Sequence, residues 1–505
     1  MTRRRRFFIN GILLTVVGLA IRSVSIAFNS YVTKMVGAEG IGLFTLIMNI
    51  YSFAITFATS GISLTVTRLI AEAIGEGRGR ECRKIMRNAC GYALLFSVSA
   101  SLIMFCFSEF FSLRFIGDSR AEMPLKILAF SLVPLSLASM VSGYFVGVKR
   151  VAKNATVQVV AQIFKITVTL YLVLEYANRG VAYTVIMLTL SITLTEIFVF
   201  LVLALQYLFE KKERRIEGAC KTNFHSITSM ALPLAFSMYI RSALITLEHA
   251  LIPRGLTKRG GSNAEALASY GILHGMVVPM LLYPMATLSS FASLLVPEFA
   301  ESYAGGERER MKRIAAEALE TTLAYSTAVT VILFVFSEEL GYVLYDSYYA
   351  GYYISLMAFV IPIMYLDHVA DSILKGIGEH VYSMWVNILD SCLSVFLVWV
   401  LIPLMGIGGY ALVIIAMEAF NFTFSITRLY KRIPFKISYK KGFFLPLISA
   451  IAAVSLSESL FLMNGSEADG VWFFSKLLFT ACAYVLAYTL IKKIGNGRRA
   501  VTEIS

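Results

Sequence analysis

The sequence predicts an all-α, polytopic membrane protein of 14 transmembrane helices, and three observations lead there. Of its 505 residues, 57% are hydrophobic and only 15% are charged, against roughly 25% charge in soluble domains. Apolar runs of about 20 residues, long enough to cross a bilayer core as a helix, recur from end to end. Those runs are continuous, whereas a membrane β-barrel would show segments of about ten residues alternating in polarity.

Charged or Gly/Pro-rich breaks place the spans at approximately 8–33, 41–67, 89–107, 124–147, 154–174, 181–208, 227–252, 269–297, 315–336, 353–374, 381–402, 408–427, 443–463 and 471–491. Arg3 to Arg6 precede the first run in the manner of a signal peptide. The run continues past Tyr31 without a small-residue cleavage site, so it reads as a retained first span. With the N-terminus inside, inner segments hold 33 of the 45 Lys and Arg and outer segments nine, and Arg22, Lys165 and Arg241 lie within spans. The positive-inside rule therefore places both termini in the cytoplasm, and the location expected is the cytoplasmic membrane. The net charge of +13 is explained by this topology and implies no nucleic-acid partner. Prolines 124, 134, 233, 279, 284, 362 and 403 fall within or at the ends of spans, as packed kinks or as breaks lining a cavity.

The sequence also repeats. A shift of 229 residues aligns Ala71–Glu109 with Ala300–Glu338 without a gap and matches 12 of 39 positions, where chance gives roughly three. Near the start of each half a shift of 219 sets Ile21-Arg22-Ser23 on Ile240-Arg241-Ser242. Spans 1–6 thus recur as 7–12, and because six is even the halves run in the same sense. Residues 1–225 and 226–440 are expected as two six-helix bundles facing a central cleft, with 441–505 as an appended helix pair and tail. That plan suits alternating access.

A charge at mid-membrane costs at least a few kcal/mol and is expected to face a partner, a cavity or water. Arg22 and Arg241 occupy equivalent positions in spans 1 and 7, and Asn29 and Glu248 follow each of them two helical turns later on the same face. In span 5 Gln158, Gln162 and Lys165 form a stripe, matched in span 11 by Asn387, Ser391 and Ser394. Arg22, Asn29, Arg241, Glu248, Gln158, Gln162, Lys165 and Asn387, with His274, are the candidate substrate-binding set. Either each Arg is locked to an acid or carbonyl, Arg241 with Glu248 for example, or Arg22, Arg241 and Lys165 make a cationic cavity for an anionic ligand such as a phosphate. Asp367 and Asp371, one turn apart, are candidates for coupling to H+ or Na+. The basic segments Arg68 to Arg87 and Glu298 to Arg313 read as surface helices over anionic lipid. The six cysteines stand singly and the five histidines show no metal spacing, so neither a disulfide framework nor a metal site is expected. No catalytic or nucleotide-binding motif is present either, so no cofactor is expected and the chain does not read as an enzyme.

The span plan, the basic link after spans 2 and 8, and Leu295-Val296-Pro297-Glu298-Phe299-Ala300-Glu301 resemble the multidrug/oligosaccharidyl-lipid/polysaccharide exporter superfamily. Asn10-Gly11, leading through Arg22 to Gly37-Ala38-Glu39-Gly40-Ile41-Gly42, is similar to its stage V sporulation protein B and polysaccharide-biosynthesis branch, close to the lipid II flippases. The resemblance implies a flippase that moves an undecaprenyl-pyrophosphate-linked saccharide to the outer leaflet for cell-wall or surface-polymer synthesis. It assigns Arg22 to the cavity and the last two helices to the prenyl tail. Spans 2 and 8 here contain no Arg or Lys, a departure from the lipid II flippases, and His274 is their only basic group. The rival readings are a drug/cation antiporter of the same superfamily and a non-transporting scaffold for wall-synthesis enzymes.

Overall fold

The protein, seen in a computed structural model, is described for residues 3–76, 81–148, 150–176, 179–209, 224–462 and 470–502; the side chains of residues 3–23 lie outside what is described. All regular structure among the described residues is helical. By packing the chain forms two compact units, Met1–Gly271 with Val395–Ile407, and Ile272–Ser394 with Gly408–Ser505.

The first unit holds α1 (Arg3–Thr59), α2 (Ile62–Gly75), α3 (Glu81–Cys106), α4 (Glu122–Gly147), α5 (Val151–Tyr176), α6 (Val181–Leu208), α7 (Phe224–Lys258) and the short α8 (Asn263–Tyr270). Helix α1 runs through both of the first two expected spans. Its bend lies at Gly37, whose φ of 76° and ψ of 169° suit a residue without a side chain. It stops where Ser60 and Gly61 both turn left-handed, with φ of 43° and 70°. Helix α8 begins with a capping box in which the Ser262 hydroxyl accepts from the Glu265 amide and the Glu265 carboxylate accepts from the Ser262 amide. It then crosses α1 at backbone contact, where a Cβ at Gly42 would sit 1.9 Å from the Leu267 carbonyl oxygen and one at Gly271 would sit 2.2 Å from that of Ala38. The core under α2, α3 and α4 is built from Ile62, Val66, Ile70, Ile85, Ala89, Tyr92 and Phe145.

The second unit begins with a π-helical turn, Gly271–Val277. It continues through α9 (Val278–Ala304), α10 (Arg308–Val335), α11 (Ser337–Tyr345), α12 (Tyr348–Ala358), α13 (Ile361–Gly376), α14 (His380–Met405), α15 (Ile407–Arg432), α16 (Leu445–Leu462) and α17 (Gly470–Thr502). Pro284 lies inside α9. The Tyr365 and Tyr325 hydroxyls donate to the carbonyls of Leu281 and Pro284, at 2.8 and 2.9 Å, so polar backbone around the proline is satisfied by neighbouring helices. Phe299, Ala315, Leu319, Val369, Ile373 and Leu429 form the core here.

Among the described residues 11 helices are long and apolar enough to cross a membrane, or 12 if the bent pair Tyr348–Ala358 and Ile361–Gly376 is one span. The expected 14 exceeds both counts, and the two expected first spans are two helical segments of α1 that meet at the non-helical Gly37. Large side chains such as Leu64, Leu102, Phe130 and Ile163 are exposed, which fits contact with acyl chains. Packing and repeat divide the chain in different places. The repeat restarts near 226, whereas the packing boundary falls after Gly271 because α7 and α8 pack on α1.

The appended helices carry a buried cation. Lys476 of α17 is only 3% exposed and pairs with Glu458 of α16 at 2.7 Å and Glu339 of α11 at 3.0 Å, with its ammonium over the Phe336 and Trp472 rings. Replacing Lys476 with Ala leaves two carboxylates facing the vacated site. The loss approaches but does not reach the roughly 3–5 kcal/mol of a fully buried pair, since both acids are partly exposed. Hydrogen exchange across 445–491 is expected to accelerate while α9 and α10 keep their protection; unchanged exchange in both regions would show that the cation does not anchor the hairpin.

Candidate functional site

In the first unit, a band of polar side chains runs along the facing sides of α1 and α7. Near the middle of α7, the Ser60 hydroxyl bonds both the Tyr92 hydroxyl, at 2.7 Å, and the Tyr239 hydroxyl. Tyr92 also reaches the Ser60 carbonyl at 3.1 Å, and the Tyr239 ring packs on Phe57. A turn further on, Thr56 Oγ1 lies 3.5 Å from Ser242 Oγ while bonding its own helix at the Ser52 carbonyl, 2.9 Å away. Thr246 does the same in reverse, bonding the Ser242 carbonyl at 2.8 Å and reaching the Asn49 carbonyl at 3.3 Å. The band ends where Asn49 donates to the Tyr270 hydroxyl at 2.8 Å and that hydroxyl meets His249 Nδ1 at 3.1 Å.

The sequence reading missed most of this band, although its spacing was available. Asn49, Thr56 and Ser60 recur on one face of span 2, and Tyr239, Ser242, Thr246 and His249 on one face of span 7. Uncharged hydroxyls attract less notice than arginines in an apolar run. They become conspicuous only when two helices bring them together.

The expected binding residues are distributed as follows. The Arg22 side chain lies outside the described residues. Asn29 and Arg241 are exposed, and among the described residues no ion pair or side-chain hydrogen bond engages Arg241. It is therefore not locked to Glu248, which is half-buried and has electrostatic contact with Tyr270. Gln162 donates to Ser25 at 3.0 Å and Gln158 is exposed. Lys165 departs from the expectation of an uncompensated cation. It is half-buried on α5 with Glu196 of α6 as its electrostatic partner, and Glu196 also acts on Tyr51, whose hydroxyl bonds Ser131 at 2.6 Å.

In the second unit, His274 Nε2 bonds the Tyr410 hydroxyl. Asn387 donates to the Ser383 carbonyl of its own helix at 2.7 Å. Of the paired acids, Asp371 is in an ion pair with Lys375 at 2.6 Å, one turn away on α13, so it is already neutralised. Asp367 lies beside Ser425 and leaves its Oδ1 buried and unsatisfied, and Glu418 feels both Asp367 and Asp390. Asp367 is thus the member of the expected pair with unused capacity. No metal-holding group of His, Cys, Asp or Glu occurs among the described residues.

Outside the spans, Arg120 ties three segments of the first unit together. It contacts Asp118 at 2.6 Å and Glu39 at 2.7 Å, and Asn263 lies 3.3 Å from Asp118. Burial pushes the Asp118 carboxyl upward, but its bonds to the Arg120 side chain and amide outweigh this and hold it below the ordinary value. A depressed carboxyl stabilises the fold above its unfolded pKa, and that contribution disappears as pH falls through the folded value, here below about pH 4. Asp118→Asn is expected to lower stability at neutral pH by on the order of 1–2 kcal/mol. Wild type should then approach the variant on acidification. Thermal unfolding in detergent across that range measures it, and a pH-independent gap would contradict the assignment.

The comparisons with known proteins agree with this helical plan. The family model described as polysaccharide biosynthesis protein matches residues 8–303, and the MatE model matches 260–401. Stage V sporulation protein B of Bacillus subtilis (strain 168) is 23% identical over 447 residues, covering 86% of each chain. Lipid II flippase MurJ of the same organism is 21% identical over 457 residues, 84% of this chain and 82% of its own. Among solved structures, that titled lipid II flippase MurJ, inward closed conformation, superposes with a TM-score of 0.70 at 14% identity over 95% of this chain and 99% of that one.

Proposed function

The chain belongs to the polysaccharide biosynthesis protein family, within the multidrug/oligosaccharidyl-lipid/polysaccharide exporter superfamily, and from that premise we propose that it is a flippase for an undecaprenyl-pyrophosphate-linked saccharide. The carrier's pyrophosphate and sugar cross the cytoplasmic membrane while its prenyl tail stays in lipid. No bond is made or broken. The cycle is alternating access, with both termini in the cytoplasm and anionic lipid around the basic loops.

The observation that supports this reading best is Arg241, a guanidinium at mid-span with no partner among the described residues, beside a band of neutral hydroxyls. A guanidinium suits a phosphate and hydroxyls suit a sugar. Arg22, its equivalent in the repeat, is assigned the same role. Asp367 is the candidate for a coupling H+ or Na+. A partnership with wall-synthesis enzymes is compatible with this activity.

The test is reconstitution of the purified protein in liposomes with undecaprenyl-pyrophosphoryl-N-acetylglucosamine, following sugar exposure on the far side. Protein-dependent exposure supports the proposal, and none, in correctly inserted protein, rejects it. A second reading, export of organic cations, is favoured by the MatE match and by the electrostatic grouping of Asp367, Asp390 and Glu418. It requires binding of a lipophilic cation dependent on Asp367.

A further inference from the structure

Two arginines at one end of the first unit are held together without a counter-charge. Helices α3 and α7 start side by side, with Phe224 against Tyr92, and their other ends meet where α7 packs on the π-helical turn Phe111–Ile116 that follows α3. That turn is tied down. The Ser112 hydroxyl donates to the Asp118 carbonyl at 2.6 Å, Gly117 closes the turn left-handed at φ 80°, and Asn263, beyond α7, lies 3.3 Å from the Asp118 carboxylate. Arg114 stands exposed on the turn, and Arg254 is half-buried near the end of α7. Among the described residues the charge that acts on Arg254 is the Arg114 guanidinium, of like sign. Acids at this end are engaged elsewhere: Asp118 and Glu39 with Arg120, Glu122 with Lys126, and Glu265 in the α8 capping box. No ion pair engages Arg114 or Arg254 among the described residues. Other cations here are placed without such conflict. Lys258 lies in the last turn of α7, and Arg259 lies beside Gly406 at the end of α14, where helix dipoles favour positive charge. Two guanidiniums without an acid cost the fold stability, and with the termini in the cytoplasm both also sit where the positive-inside bias disfavours Arg.

We propose that Arg114 and Arg254 form a second anion site, which holds the phosphate group of a membrane lipid whose chain lies along Phe107, Phe110 and Leu113. Paired guanidiniums match phosphate oxygens, and the negative charge of the phosphate offsets their mutual repulsion. The three apolar side chains are exposed on the segment that carries Arg114, a surface suited to acyl or prenyl chains, and this favours a lipid-borne phosphate over a free one. The site is separate from that of Arg241. Thirteen residues set Arg254 about 20 Å further along α7 and about 140° around it, so one phosphate cannot touch both. With both termini in the cytoplasm, the site serves the outer leaflet. It stands whether or not the chain moves a saccharide lipid, and a resident anionic phospholipid and a polyprenyl phosphate share the chemistry it recognises.

The experiment uses the delipidated full chain in detergent, with Arg22→Ala and Arg241→Ala as background so that the mid-span cations do not contribute. Dioleoyl phosphatidylglycerol, undecaprenyl phosphate and inorganic phosphate are titrated separately, and the rise in unfolding temperature gives an apparent affinity for each. At least one lipid is expected to stabilise the protein. Adding Arg114→Gln with Arg254→Gln should weaken the affinity for that lipid at least tenfold, whereas Lys258→Gln with Arg259→Gln, which removes the same charge at the same end, should change it less than twofold. A response to phosphatidylglycerol supports a resident phospholipid as the source, and a response to undecaprenyl phosphate alone supports a polyprenyl carrier. No response to either lipid, unchanged affinity in the Arg114/Arg254 variant, or equal weakening in both paired variants overturns the site. Saturation by inorganic phosphate at the concentrations where the lipids act overturns the lipid assignment. A second measurement needs no ligand. Arg114→Gln alone, at the exposed member of the pair, should unfold at no lower a temperature than its parent because a like charge is relieved, and a clear fall would show that Arg114 is bound to a partner in the protein and overturn the unpaired site.

Discussion

Arg241→Ala is expected to reduce headgroup translocation in proteoliposomes by about 10- to 100-fold, the equivalent of removing one charge-assisted hydrogen bond worth roughly 1.5–3 kcal/mol. The expectation depends on where this cation sits. A guanidinium that served only to tie helices together would have an acid or carbonyl at bonding distance, and among the described residues Arg241 has none. Its removal should accordingly leave thermal stability almost unchanged. Arg241→Lys keeps the charge but loses the planar fork, so it should recover only part of the rate. Arg22→Ala should behave in the same way, and the double variant should lose more than either single one. Full activity in a correctly inserted double variant would remove both arginines from substrate handling.

Gly42→Ala has the opposite signature, with loss of the folded protein before any question of transport arises. A Cβ there would lie 1.9 Å from the Leu267 carbonyl oxygen and 2.7 Å from its carbon, and both are backbone atoms that no rotamer change can move aside. Helices α1 and α8 must separate, and the cost exceeds the roughly 1–3 kcal/mol of ordinary overpacking. Gly271→Ala meets the reciprocal contact with Ala38 and Gly42 and should be equally damaging. Gly91→Ala is the control, because its nearest neighbour would be a Phe224 ring carbon at 3.9 Å. Size-exclusion profiles in detergent should show aggregation of the first two variants and a normal peak for the third. A monodisperse Gly42→Ala protein of wild-type stability would show that the crossing has room for a methyl group.

The helical class and the broad run of spans were legible because a bilayer leaves few solutions, and a continuous apolar stretch of 20 residues has essentially one. What could not be read was how neighbouring spans join and which groups meet. Spans 1 and 2 meet directly at Gly37 without a loop, a matter of one residue's backbone angles. The electrostatic influence of Glu196 on Lys165 joins residues on two helices, and no spacing within either helix reveals it. Asp367 and Asp371 look alike in the sequence. Lys375 satisfies one, while the other retains a buried, unsatisfied oxygen. The polar band was missed for a related reason. A helix shows its own stripe, and the stripe gains meaning only from the helix opposite.

Under the proposed function, the mid-span cation and the neutral band make the site prefer a phosphorylated sugar lipid over an organic cation. The most direct measurement is transport by the purified protein in liposomes of undecaprenyl-pyrophosphoryl-N-acetylglucosamine and of a lipophilic cation, in parallel. Movement of the saccharide lipid that falls on Arg241→Ala and persists in Asp371→Asn, with no export of the cation, is the expected result. Export of the cation with no movement of the saccharide lipid would contradict the account.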